Sequence, residues 1–126
     1  MRLRYAYGDT HMKEFTVKFH LADSEYMTAL RLVCSAVCSA HEMDLDALED
    51  FKVCVTESAI ILKNCGFDTV TAVFGGSGEL VCTVRGEGGK PEKGDNELSL
   101  ALISALVGDC EISRRGEIIE KVTLRA

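Results

Sequence analysis

Three groups of residues could do chemistry, and each also has a plain structural explanation. Glu57 stands in the run VTESAIILKNCG (residues 55–66), with Val53, Cys54 and Val55 just before it and Ala59, Ile60, Ile61 and Leu62 just after. Taking an unpaired carboxylate out of water is costly, so Glu57 belongs either to a solvated helix face or to a working position in a pocket. The stretch GEGGKPEKGDNE (residues 86–97) holds four glycines, the only proline and no apolar residue. Glycines let backbone amides approach a phosphate closely, although a glycine cluster is also the ordinary material of a turn. Here Glu87, Glu92, Asp95 and Glu97 outnumber Lys90 and Lys93, the wrong balance of charge for a polyphosphate. Cys34, Cys38 and His41 recur at i, i+4, i+7 on one helix face. They are three soft ligands of the kind zinc takes, but no fourth stands out, and packing as small hydrophobes is the better account. No metal site is expected.

The bulk composition narrows the field. The chain has 126 residues, 47% hydrophobic and 27% charged, which fits one domain with its own core. A formal net charge of −6 argues against binding nucleic acid through a basic surface and against an anionic membrane. No apolar run is long enough to span a bilayer. The opening MRLRYAYGDTH lacks the apolar core of a secretory signal, so a cytoplasmic location is expected, with the six cysteines as reduced thiols.

The elements that must position these residues can be read from periodicity. In EFTVKFHL (residues 14–21), Phe15, Val17, Phe19 and Leu21 alternate with polar residues, the pattern of a half-buried strand. Residues 1–13 are expected to be an N-terminal extension or an edge strand. Asp23 or Ser24 can cap a helix in which Met27, Leu30, Cys34 and Val37 form the apolar stripe. Asp44 or Asp46 can cap a second helix, from about Leu48 to Asn64, that Gly66 stops. Two β-branched runs, residues 69–76 and 78–86, read as a hairpin. After the glycine-rich loop comes a short apolar helix (residues 98–108), with Leu98, Leu100, Leu102, Ile103 and Leu106 expected in the core. Two last strands turn at Ser113, Arg114, Arg115 and Gly116, read as a hairpin with two solvated arginines. The expected fold class is α+β: a two-layer α/β sandwich with a mixed, mostly antiparallel sheet and helices on one face.

This order, with EDFKVCVTESAIILKN followed by LVCTVRGEGG and a loop before the last helix, resembles the Bergerat-type ATP-binding fold of histidine kinases, gyrase B, Hsp90 and MutL. Within that fold it is most similar to the anti-sigma-factor serine kinases of bacterial partner-switching systems, over about residues 14 to 125. The resemblance implies ATP and Mg²⁺ as cofactors. It implies a sigma factor and an anti-anti-sigma protein as partners, and a homodimer. It gives Glu57 the role of catalytic base, and Gly88 matches the first glycine of the family's Asp-x-Gly-x-Gly.

The departures are equally specific. Ile61 stands where the family has its magnesium-binding asparagine. Gly86 replaces the adenine-reading aspartate, Lys90 the second glycine, and Glu97 and Ser99 the lid glycines. Asn64 shares the azimuth of Glu57, about 20° away, but lies roughly 10 Å along the axis instead of the roughly 6 Å of an i+4 partner. Any nucleotide contacts therefore fall to Asn64, Gly86, Gly88 and Lys90. The leading expectation is an anti-sigma-type regulator acting by protein binding, with an impaired or absent ATP site. The alternatives are an active ATP-dependent serine kinase and an interaction module unrelated to sigma factors.

Overall fold

The computed structural model describes residues 11–126. The expectation of an N-terminal extension therefore lies, for residues 1–10, outside the described residues. Strand β1 (His11–His20) leads into helices α1 (Glu25–Ala40) and α2 (Leu45–Asn64), then strands β2 (Thr69–Ser77) and β3 (Val81–Glu87). Helix α3 (Glu97–Leu106) and strands β4 (Asp109–Arg115) and β5 (Ile118–Arg125) complete the chain. The five strands form one sheet in the order β1-β2-β3-β5-β4. Among the described residues every neighbouring pair is antiparallel, so this part of the sheet has no parallel component.

Local chemistry explains the boundaries. Asp44 is the N-cap of α2, its carboxylate accepting from the Ala47 amide at 2.8 Å. That bond fixes one of the free amides every helix start exposes. Gly66, at φ +88, ends the helix in a left-handed conformation that a side chain resists. At the start of α1, Ser24 is the N-cap without a side-chain bond, and Asp23 accepts from the Glu25 amide at 3.2 Å.

The helices lie on one face of the sheet and the core fills the space between. Leu30, Cys34 and Cys38 of α1 and Phe51, Val55, Ala59, Ile61 and Leu62 of α2 are wholly or almost wholly buried. They meet Val70, Ala72 and Phe74 of β2, Cys82 and Val84 of β3, and Val122 and Leu124 of β5. Even-numbered residues of β2 and β3 thus face the helices, and odd ones face away, as the two-residue strand period requires.

Helix α3 departs from the reading of its apolar stripe. Ile103 is buried, but Leu98 is 76% exposed and Leu102 is 38% exposed. A ten-residue helix lying on α2 offers it only one face, carrying Asn96, Ser99 and Ile103. Leu100 and Leu106 are half-buried against the core, as expected, while Leu98 and Leu102 point away from it.

Candidate functional site

The face of α2 that bears Glu57 and Asn64 is the face on which α3 and the glycine-rich loop lie. Glu57 is half-buried, and its Oε1 accepts a hydrogen bond from the Ser99 hydroxyl at 2.8 Å. Ser99 itself is 7% exposed, in the first turns of α3. The odd charge in an apolar run is thus neither a freely solvated residue nor an unpaired one.

Two turns further on, Asn64 donates through Nδ2 to Asn96 Oδ1 at 3.2 Å, and Asn96 donates through its own Nδ2 to Cys65 Sγ at 3.4 Å. A shallow cleft of about 390 Å³ opens here, lined by Asn64, Asp95, Asn96, Glu97, Leu98 and Ser99. Its charged side chains are both acids. Ile61, between Glu57 and Asn64, is wholly buried in the core and carries no oxygen to offer a metal.

Gly86 is buried on β3, opposite Val70. The ring of Phe67 rests directly on it: a Cβ at this position would come 2.5 Å from Phe67 Cγ. Phe67 is 6% exposed and belongs to the core. The space above Gly86 is therefore filled by the protein's own aromatic ring.

Gly88 sits at φ +67 with the Asp68 carboxylate against its Cα. The turn needs a glycine there on backbone grounds alone. Lys90 is exposed, and its backbone amide, not its side chain, is engaged, donating to Gly66 O at 3.1 Å. Two residues on, the Glu92 amide donates to Cys65 O at 2.7 Å. Gly94 passes so close to the end of α2 that a Cβ would meet Asn64 O at 2.7 Å. The loop is thus stitched to the C-terminal end of α2.

Of the loop's four acids, Glu87 is turned away from the helices. Lys18 meets Glu87 Oε2 at 3.0 Å, while Thr71 Oγ1 donates to Oε1 at 3.1 Å and Arg85 Nη2 at 3.3 Å. Lys18 foremost, then Thr71 and Arg85, hold this carboxyl below the usual carboxylate range. The Glu97 amide donates to a loop carboxylate, Asp95 Oδ1, at 3.4 Å.

Cys34 and Cys38 are wholly buried with their sulfurs 3.9 Å apart. The Cys38 thiol against it, and then burial, push Cys34 upward. Burial also raises Cys54, to about 12. His41 lies just past α1 as its C-cap. Among the described residues no three His, Cys, Asp or Glu side chains are grouped to hold a metal ion. A second cleft, of about 370 Å³, adjoins the first across Asp95, Asn96 and Glu97 and is lined further by Lys93, Arg114 and Glu117.

The structure puts Asn64 on the wall of the cleft and joins Glu57 to it only through Ser99; Gly86, Gly88 and Lys90 do not line it and lie instead against Phe67, Asp68 and Gly66. Two residues that matter most were not singled out for these roles. Ser99 is 42 positions from Glu57, and no local pattern announces the pairing. Phe67 lies in the short NCGFD connection, where it reads as turn.

The fold is the two-layer α/β sandwich class, a five-stranded antiparallel sheet with three helices on one side. Within that class it is similar to the crystal structure of the RsbU and RsbW domains of Rv1364c from Mycobacterium tuberculosis. The TM-score is 0.66 at 16% sequence identity, over 90% of this chain and 32% of that one. This chain thus spans about a third of that solved chain, and identity this low speaks to the fold. No family model and no curated protein matches the sequence. Among the described residues no helix is long and apolar enough to cross a membrane.

Proposed function

We propose that this chain is a cytoplasmic anti-sigma-factor-type regulator that works by binding proteins and not by phosphoryl transfer. The observation that carries the reading is the state of the would-be nucleotide cleft. Phosphoryl transfer rests on positioning and on magnesium bridging the phosphates, and magnesium demands oxygen ligands. The side chains present do not fit Mg²⁺ and ATP. Ile61 is apolar and buried, Glu57 already accepts from Ser99, and Gly86 has no carboxylate and is covered by Phe67. Asn64 is held by Asn96, and the cleft it lines adds two further acids, Asp95 and Glu97.

The likeness to a structure whose printed description names RsbU and RsbW domains supports the regulatory half of the reading, with a sigma factor and an anti-anti-sigma-type protein as the partners. A homodimer is part of the proposal only through the sequence resemblance to the anti-sigma-factor serine kinases. The kinase alternative draws on one observation, a hydroxyl 2.8 Å from the Glu57 carboxylate, which is the spacing a general base needs. That hydroxyl belongs to the protein itself, in a residue 7% exposed.

A thermal-shift titration with Mg-ATP and Mg-ADP separates the readings, because a ligand that binds only the folded state must raise Tm. The expected result is no shift at millimolar nucleotide. A clear magnesium-dependent shift that Glu57→Ala removes would restore the kinase. Capture of partners from the native host, identified by mass spectrometry, then tests sigma regulation against an unrelated interaction module.

A further inference from the structure

We propose that the furrow between α2 and α3 is a docking surface for a basic amphipathic helix of another protein, with one of its Lys or Arg side chains seated on Glu57. The proposal rests on the reading above, that the chain works by binding proteins, and names the surface and the chemistry of what binds there.

The two helices lie antiparallel. Asn64 meets Asn96 at one end, Glu57 meets Ser99 further along, and Asp50 and Leu106 line one small cavity at the other end. On α2, Val53, Glu57, Ile60 and Asn64 recur at i, i+4, i+7, i+11 and so share one face. On α3, Leu98, Ala101, Leu102 and Ala105 recur at i, i+3, i+4, i+7, and all four are exposed. Leu100, on the opposite flank of α3, packs against the core and lines a cleft with Ile119. Helical phase therefore turns Leu98 and Leu102 to the solvent side, beside the outer face of α2. There Val53 is exposed and Ile60 half-buried. An apolar ridge thus runs along each side of the Glu57–Ser99 contact, and the cleft at Asn64 opens the furrow at one end. Grooves between helices seat the side chains of a further helix.

Charge decides what kind of helix fits. Asp46, Glu49 and Asp50 stand at one end of the furrow, Asp95 and Glu97 at the other, and Glu57 between them. Against these acids stand only Lys52 and Lys63 on α2, and Lys52 is already paired with Glu49 at 2.9 Å. Ser99 engages Oε1 of Glu57, and among the described residues no side chain meets Oε2. A half-buried carboxylate oxygen flanked by apolar side chains makes its strongest hydrogen bond with a cationic donor. An incoming Lys or Arg supplies that donor, while the apolar stripe of the same helix covers Leu98, Leu102, Val53 and Ile60.

Other occupants fit less well. An acidic or uncharged helix would bury Glu57 with its charge unpaired, which is costly. A second copy of this chain brings the same surface, so docking furrow to furrow would set acids against acids. The surface also lies away from β1: α1 packs on β1 and α3 on β4, and these strands are the two ends of the sheet. Helix α3 is ten residues, about 15 Å long, so the occupant needs about three turns in contact.

The test titrates the full chain into a fluorescent synthetic helix of leucines and lysines, with leucine at i, i+3, i+4, i+7, and reads anisotropy. The same peptide with glutamate for lysine is the counter-probe. The Leu/Lys helix is expected to bind and the Leu/Glu helix is not. Combining Leu98→Ser with Leu102→Ser is expected to weaken binding about tenfold or more. Glu57→Gln, which keeps an acceptor for Ser99, is expected to weaken it about fivefold. Leu32→Ser, at an exposed leucine of α1, is expected to leave it unchanged. No binding of the Leu/Lys helix, equal binding by the doubly substituted chain, or an equal loss in Leu32→Ser would overturn the furrow. Sedimentation showing that Leu98 and Leu102 are needed for self-association would also overturn it, by seating a second copy there. Capture from the native host separates the furrow from the regulatory reading. A sigma factor or its antagonist held equally by the wild type and the doubly substituted chain would overturn the furrow and leave that reading standing. A chain that binds the Leu/Lys helix as expected but captures no such partner would keep the furrow and overturn the sigma-regulatory reading.

Discussion

Substituting Gly86 by alanine tests the central feature of the cleft. The backbone at Gly86 is in an ordinary region, so alanine brings no conformational strain, and its Cβ meets only the Phe67 ring, at 2.5 to 2.9 Å from three ring carbons. Real carbon contacts settle near 3.5 to 4.0 Å, so ring or strand must move by about an ångström. Phe67 is 6% exposed and cannot swing out without uncovering core. Overpacking of this kind costs about 1–3 kcal/mol. Phe67→Ala alone should cost about 3–5 kcal/mol through lost burial and a cavity. With the ring gone, Gly86→Ala should be neutral or stabilising by about 0.5–1 kcal/mol, because glycine is the poorer strand residue. The coupling energy between the two sites is then about 1–4 kcal/mol, above what separate sites show. Urea denaturation of the four proteins measures it. If Gly86→Ala is neutral in the wild-type background, the ring does not occupy the space above residue 86, and the account of a filled adenine position fails.

Three further outcomes follow from contacts described above. Ser99→Ala removes the donor to a half-buried carboxylate and should cost about 1–2 kcal/mol, while Ser99→Thr, which keeps the hydroxyl, should recover part of it; equal losses in both would mean that Ser99 acts through packing alone. Five of the six thiols are buried and Cys110 is half-buried, so thiol labelling at pH 8 should modify Cys110 first and reach six only in denaturant. Fast labelling of Cys34 or Cys38 would contradict their burial. Glu87 has a folded-state pKa below its unfolded value, so it binds its proton more readily when unfolded. Its contribution is therefore present above the unfolded pKa, about 4.3, and is lost as pH falls below it through the folded value. Glu87→Gln should flatten stability against pH in that acid range and leave the neutral range without a slope; an unchanged acid limb would refute the Lys18–Glu87–Arg85 cluster.

What could be read from the sequence was whatever local chemistry decides. The alternation in residues 14–21 and the Gly66 stop each settle a boundary from within a few residues, and the sandwich follows from the element order. Local chemistry leaves the start of α2 between Asp44 and Asp46 as caps, with a helix from about Leu48, and the structure begins it at Leu45 behind Asp44. Contacts made at long range could not be read that way. Ser99 reaches Glu57 only because α3 returns across α2, and a ten-residue helix with apolar residues on every side gives no phase by which to tell that Ile103 points in and Leu98 out. Phe67 escaped for a related reason: one aromatic residue in a connection has no periodicity, and only the close approach of Gly86 shows what it fills.

The glycine-rich loop has one more consequence. A helix ends with carbonyls that its own backbone cannot satisfy. At the end of α2, Cys65 and Gly66 pass their carbonyls to the amides of Glu92 and Lys90. The segment whose composition suggests the loosest part of the chain is, in hydrogen-bonding terms, the cap of the longest helix. In native-state hydrogen exchange those two amides belong with the last turn of α2 as one opening unit, so whatever lifts the loop must also fray the helix that carries Asn64.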